Sequence, residues 1–365
     1  MLCRFYWCYF VVLLGLSVVS GGAASPELAS SPIVAASTPT SAKVPTPFGP
    51  APAPFSNPPT QARPDTSATG TVVAKWKDNK KAVFMVAFDD SEPCDLTNVI
   101  PELMKRKLVG NFYVNAGLPA FNDRKAQWIE AAKSPYIQLC NHTWTHKGVN
   151  STAELAMELE KDTQAIYECT PGQKTPRLVG FGQPGGVPWK VTKEETTEAL
   201  DKDHLVSRPQ FYGLPFHYHS GAELVKVVDD AIAKGAMGHI DFHGVGGDWL
   251  SVPTEFLTTL LDKLVVEEAN IWISSTVDWR KYVEERQTAD IKVLSSDATA
   301  IKLQLTCAAD PSLYDLPLTL LTKVPADWTQ CTVTQGATKT VVNAKDGQIM
   351  YDALPGNEPV AITKG

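Results

Sequence analysis

Seven apolar residues in succession, Ala82-Val83-Phe84-Met85-Val86-Ala87-Phe88, end in two aspartates, Asp89 and Asp90. The run has strand length and lacks the polar alternation of a strand with one wet face. A strand buried on both faces reads this way, and such strands belong to parallel sheets covered by helices. The flanking sequence supplies those helices. Residues 95–106 read as a helix, 109–115 as a strand, 126–132 as a helix and 136–140 as a strand. Ser151 and Glu154 have capping-box spacing and open a helix with Leu155, Leu159 and Ile166 on one face. Helical 222–233, strand-like 237–242, helical 254–267 and strand-like 270–274 continue the alternation. Repeated β-α units of this kind imply a mainly parallel sheet or barrel, an α/β fold.

The pattern changes near Thr288. Ile301, Leu303 and Leu305 alternate with Lys302, Gln304 and Thr306, and short strand-like runs follow at 318–324, 330–334, 338–342 and 348–351. Asp346-Gly347 is a hairpin signal. A small all-β, sandwich-like domain is expected over residues 288–365, after an α/β domain over 72–287.

The N-terminus differs from both. Arg4 precedes an apolar stretch from Phe5 to Val19, and the small residues Ser20, Gly21, Gly22, Ala23 and Ala24 follow. This is the layout of a secretory signal peptide, assigned to residues 1–22, and it is shorter than the roughly 20 residues a spanning helix needs. The expectation is export to the outside of the cell or its wall, without stable membrane insertion after cleavage. Residues 23–71 are rich in Pro, Ser and Thr and read as an extended, disordered linker. Cys94, Cys140, Cys169, Cys307 and Cys331 remain after cleavage, and Cys307 with Cys331 is the expected disulfide, both lying in the C-terminal domain. A formal charge of −7 argues against a nucleic-acid partner, which calls for a basic stripe.

Chemistry is concentrated where strands end. Asp89 and Asp90 sit at the end of one buried strand, and His142 and His146 follow another. Catalytic groups of β/α barrels gather at that C-terminal edge. Two imidazoles and one carboxylate can hold a divalent cation with a position left for water, and the second carboxylate is then free to act as a base. Taken singly, adjacent aspartates are commonly helix caps, and a His-x-x-x-His pair is as often packing as ligation. His239-Ile240-Asp241 has the form of an iron-oxygenase pair, but such sites need a further histidine downstream and none follows His243. His217 and His219 read as groove lining or packing. Asn141-His142-Thr143 has the form of a glycosylation sequon, but Asn150-Ser151-Thr152 is the better acceptor.

Phe88-Asp89-Asp90 together with His142-Thr143-Trp144-Thr145-His146 resembles the first two motifs of the polysaccharide deacetylases, the NodB-type carbohydrate esterase family 4, over residues 81–282. The resemblance implies a distorted (β/α)7 barrel. It also implies removal of acetyl groups from a carbohydrate polymer, N-acetylglucosamine-containing or, in some members, acetylxylan. It assigns Asp89 as base, Asp90, His142 and His146 as ligands of a divalent metal (zinc first, cobalt as the alternative), and His243 as general acid. Gln183-Pro184-Gly185-Gly186 matches the loop lining the groove, so Gly185 and Gly186, with Trp144, are expected at the substrate. Trp189, Trp249 and Trp279 are further candidates for stacking on sugar rings. Two departures stand out. Gly182 occupies the place of the third motif's arginine, with Arg177 as the nearby substitute, and the fourth motif has no counterpart between Thr192 and Tyr218. An O-acetyl esterase and a non-catalytic polysaccharide-binding relative are the competing readings.

Overall fold

The computed structural model describes residues 70–213 and 218–365. The expected signal peptide, nearly all of the expected linker, and His217 lie outside the described residues.

Strand β1 (Thr71–Val73) precedes the buried run, which forms β2 (Ala82–Asp89). A π-helical turn over Asp95–Val99 leads into α1 (Ile100–Arg106). Then come β3 (Gly110–Val114), α2 (Pro119–Asn122), α3 (Lys125–Ala131), β4 (Ile137–Asn141) and α4 (Thr152–Cys169). β5 (Val179–Phe181), α5 (Lys193–Lys202), β6 (Leu205–Ser207), α6 (Gly221–Lys234) and β7 (Met237–Phe242) continue the series. It closes with α7 (Thr254–Val266), β8 (Ile271–Ile273) and α8 (Thr276–Thr288). The strands form a seven-stranded parallel sheet ordered β6-β5-β4-β3-β2-β7, with β8 also paired to β2. Its shape is a half-barrel.

β2 shows why the run carries no polar residue. Phe84, Val86 and Phe88 face the layer of helices, where the Phe88 ring stacks on Phe112 (centroids 4.9 Å apart) and Phe242 (5.6 Å). Val83 and Met85 pack instead with Trp76, Trp279 and Val283, and Ala87 with Tyr113 and Cys140. Successive side chains point to opposite faces, so Asp89 shares the face of Ala87 and Tyr113, inside the half-barrel. On β7, Ala87 is level with Asp241 and Met85 with His239, so the same parity turns His239, Asp241 and then His243 inward.

Local signals act as expected at α4, with one shift. Ser151 accepts from the Glu154 N–H, but the Glu154 carboxylate reaches back to the Asn150 N–H instead of closing on Ser151. The reciprocal capping box occurs at α5, between Thr192 and Glu195.

The C-terminal region holds β9 (Asp290–Ser296), β10 (Ala300–Thr306), β11 (Leu318–Lys323), β12 (Gln330–Gln335), β13 (Thr338–Asn343), β14 (Gln348–Ala353) and β15 (Val360–Lys364). They form two antiparallel sheets, β1-β11-β14 and β13-β12-β15-β10-β9. Between them lie Leu303, Leu305, Leu320, Trp328, Ile349 and Ile362, all buried. β1 therefore serves the C-terminal sheets, although it precedes the α/β domain in sequence. Tyr282 of α8 joins the same core and donates to the Ala74 carbonyl, 2.9 Å away. No helix among the described residues is long and apolar enough to cross a membrane.

The expected Cys307–Cys331 disulfide does not form; Cys94, Cys140, Cys169, Cys307 and Cys331 are all free. Strand register explains it. Cys331 on β12 is level with Lys364 of β15, while Thr363 is level with Ala300 at the start of β10. Cys307 follows the far end of β10, about 25 Å along the strand direction at ~3.3 Å per residue. A disulfide needs Cα atoms within about 7 Å.

Candidate metal-dependent hydrolytic site

Asp89, Asp90, His142, His146 and His243 converge above the C-terminal ends of β2, β4 and β7. Asp90 takes a left-handed backbone (φ 73°) and accepts the local strain that places its carboxylate among the rings. Its Oδ1 lies 3.6 Å from His142 Nε2 and 3.4 Å from His146 Nε2, and its Oδ2 lies 3.5 Å from His243 Nε2.

The histidine segment is a pinned loop, not a helix. Thr143 and His146 both have positive φ (67° and 55°), which brings the two rings to a centroid separation of 5.1 Å. Glu158 of α4 receives hydrogen bonds from the Thr145 N–H and hydroxyl, each 2.7 Å. Buried Asp162 receives the N–H groups of Ala116 (2.7 Å) and His142 (3.2 Å). His142 Nδ1 lies 2.7 Å from the Gly182 carbonyl, an oxygen that can only accept, so the ring proton sits on Nδ1 and Nε2 keeps its lone pair. Burial lowers the His142 pKa and, with the charges of Arg208 and His146, outweighs the pull of Asp89 and Asp90. The shift favours the neutral ring, whose free Nε2 faces Asp90.

Donor atoms of Asp90, His142 and His146 lie within 4.8 Å of one another. Asp90 Oδ1 is buried and has no hydrogen-bond partner, an uncompensated oxygen of the kind a cation satisfies. Two imidazole nitrogens and one carboxylate oxygen fit a divalent metal. His243 stands outside that three-residue cluster.

Asp89 has a support that the sequence does not announce. Arg208, directly after β6, forks onto Asp89 with Nη1–Oδ1 at 2.6 Å and Nη2–Oδ2 at 2.9 Å. Its guanidinium lies over the rings of Tyr113 (4.6 Å) and Phe211 (5.0 Å), and Nη1 is also 3.2 Å from Asp241 Oδ1. Burial raises the Asp89 pKa, but the charge of Arg208, that of His142 and the Arg208 hydrogen bonds outweigh it and hold Asp89 well below the usual range. Burial drives Asp241 the other way, well above it, against the opposing charge of Arg208 and with the Asp89 charge adding to the rise. One cation thus serves two buried carboxyls, lowering the pKa of Asp89 while burial raises that of Asp241.

Gly182 makes room for this arrangement. A Cβ there would sit 2.9 Å from Tyr113 Cδ1 and 3.1 Å from Arg208 Cζ. The arginine expected at position 182 is replaced by one from the next strand, whose guanidinium fills the space. Arg177, the expected substitute, is elsewhere: it donates to Thr170 Oγ1 (2.6 Å) and stacks on Tyr167. The signal for Arg208 was a charged residue ending a strand, but β6 spans only Leu205–Ser207.

The remaining expectations divide. Gly185 and Gly186 lie in an exposed loop three residues beyond Gly182. Trp144 lines a different groove, about 450 Å³ in volume, with Phe121, Asn122, Lys125 and Lys161, and none of the site's aspartates or histidines borders it. Asn141 is fully buried, with Nδ2 donating to the Leu159 carbonyl (2.9 Å) and Thr163 Oγ1 (3.0 Å). Asn150 is exposed.

Residues 76–201 match the family model described as polysaccharide deacetylase, a span that holds the paired aspartates and both loop histidines. This span belongs to the polysaccharide deacetylase family. Among curated proteins, the chain is similar to part of a gellan lyase from a Bacillus species, 32% identical over 113 residues, which is 30% of this chain and 4% of the lyase. Among solved structures, a family 4 carbohydrate esterase from Streptomyces lividans in complex with acetate is 14% identical, with a TM-score of 0.40 over 54% of this chain and 93% of that one. A peptidoglycan deacetylase from Bacillus subtilis is 15% identical, with a TM-score of 0.38 over 57% and 97%. A family 4 pseudoenzyme from Bacillus anthracis is 18% identical, with a TM-score of 0.41 over 53% and 64%.

Proposed function

We propose that the protein is an exported, metal-dependent deacetylase that hydrolyses N-acetyl groups on a polysaccharide containing N-acetylglucosamine. A divalent cation held by Asp90, His142 and His146, zinc before cobalt, would supply Lewis acidity for the acetyl carbonyl and for water. Asp89, kept ionised by Arg208, takes the proton of the attacking water as its oxygen bonds to the acetyl carbon. His243 then delivers a proton to the amide nitrogen, the C–N bond breaks, and acetate and a free amine leave. An amide nitrogen departs poorly without that proton, which is why the acid matters. A backbone N–H of Gly185 or Gly186 is the proposed further donor to the oxyanion. The Arg4–Ala24 stretch supports export.

The observation that carries this reading is the division of labour between adjacent aspartates. Asp90 faces three imidazoles, whereas Asp89 is clamped by Arg208. The test is acetate release from N-acetylglucosamine oligomers, peptidoglycan, acetylxylan and simple N-acetyl sugars, with and without chelator. Release from the first two, abolished by chelator and restored by zinc or cobalt, is expected. Release from acetylxylan alone would make the protein an O-acetyl esterase. Binding without any release would make it a non-catalytic relative.

A further inference from the structure

Trp249 is the one exposed tryptophan among the described residues, at 63% relative exposure. The loop that carries it begins directly after His243 and is tied down along its length. The Trp249 carbonyl accepts from the Gly244 N–H (2.8 Å), and the Val252 N–H donates to the Gly244 carbonyl (3.0 Å). Asp248 Oδ2 accepts from the Cys94 N–H (2.6 Å), Ser251 Oγ from the Gly247 N–H (2.8 Å), and the Val245 carbonyl from Asn98 Nδ2 (2.8 Å). On either side of the indole, Asp248 (φ 65°) and Leu250 (φ 48°) are non-glycine residues in the left-handed region. A fixed loop with strain on both flanks holds a large apolar ring in water, against the tendency of such rings to be buried.

Beside this loop lies a groove of about 720 Å³ between the segments that follow β2, β3 and β7. Leu96 and Met104 give it apolar patches, and Asn98, Arg124, Gln127 and Asp248 give it hydrogen-bonding edges. A pyranose has the matching character, with C–H groups on its faces and hydroxyls around its rim.

We infer that Trp249 and the adjoining groove bind sugar residues of the polymer next to the one being deacetylated, with the indole as stacking platform. The inference rests on the proposed deacetylase reading for its occupant, a β-1,4-linked N-acetylglucosamine chain. Its own support is continuity: the loop starts at the proposed acid His243 and is hydrogen-bonded to the segment following Asp90. The site therefore discriminates by chain length, and a hexamer gains contacts that a dimer lacks.

The test uses the full chain loaded with zinc, in the Asp89→Asn background to prevent turnover, with calorimetric affinities for the N-acetylglucosamine hexamer and dimer. Trp249→Ala is expected to lower hexamer affinity about tenfold and to collapse the hexamer-to-dimer ratio. Trp249→Phe, which keeps a ring, should recover most of it. Hexamer affinity unchanged in Trp249→Ala overturns the inference, as does a parent that does not bind the hexamer. Acetate release by chains that keep the native Asp89, with and without Trp249→Ala, separates the two readings. Release that is indifferent to Trp249 sinks this inference alone, whereas Trp249-dependent binding without release sinks the deacetylase reading alone.

Discussion

Arg208→Met gives the sharpest view of how the base is maintained. The wild-type guanidinium makes hydrogen bonds of 2.6 and 2.9 Å to Asp89 and lies 3.2 Å from Asp241, with the side chains of Asp89 and Asp241 5% and 0% exposed. Methionine keeps much of the volume and removes the cation, leaving two buried carboxyls side by side. Breaking a buried ion pair from one side costs about 3–5 kcal/mol, because the surviving charge is stranded. Asp89 escapes most of that cost by taking a proton, and a protonated aspartate cannot act as base. Loss of general-base assistance lowers rates by about 10²–10⁴-fold. The assay is acetate release across roughly pH 5 to 9, spanning ordinary carboxyl and imidazole titrations, with metal content and urea denaturation measured on the same samples. Metal should stay bound, stability should fall by about 3 kcal/mol, and kcat should fall about a hundredfold or more while recovering partly as pH rises and Asp89 ionises. Arg208→Lys keeps the charge without the fork and should fall between. A kcat for Arg208→Met within about threefold of wild type, with an unchanged pH profile, would refute the assignment.

Other consequences are as direct. Burial raises the Asp241 pKa well above the value of about 3.9 it has in the unfolded chain, so its contribution to stability is present below that pH and declines as pH rises above it. Asp241→Asn should therefore become progressively more stable relative to wild type as pH is raised from about 4 to 8, read as a widening Tm difference; a difference independent of pH would show that Asp241 is ionised. Asp89 has the opposite sign, its contribution being present above about 3.9 and lost as pH falls below it. Gly182→Ala pushes a methyl against Tyr113 and the guanidinium; it should cost about 1–3 kcal/mol in urea unfolding and lower kcat more than it raises KM. Alkylation under denaturing, non-reducing conditions should modify both Cys307 and Cys331, and a protected pair detected by mass would contradict the strand register.

Much of this arrangement was legible because it rests on strong, local signals. β2 announces itself by burial on both faces, and its parity places Asp89 inside the half-barrel. The loop histidines follow β4 directly, and His243 directly follows β7. Arg208 escaped notice because a three-residue strand has too little periodicity to mark its own end, and its contact with Asp89 spans more than a hundred residues of chain. Asp241 reads in sequence as one more strand residue, and only the neighbouring carboxylate and guanidinium make it distinctive. Trp144 lies between the two loop histidines in sequence; its backbone N–H donates to the Glu158 carbonyl, its carbonyl accepts from Gly117, and it borders the groove between α2 and α4. The disulfide was inferred from shared domain membership, which carries no information about register.

The central claim is that adjacent aspartates have separate tasks, one holding metal and one moving a proton. Metal content and acetate release, measured together on wild type, Asp89→Asn and His142→Ala after identical zinc loading, test it most directly. The account predicts one zinc per chain in wild type and in Asp89→Asn, acetate from wild type alone, and neither zinc nor acetate in His142→Ala. Sustained acetate release by Asp89→Asn, or by wild type stripped of metal, would contradict it.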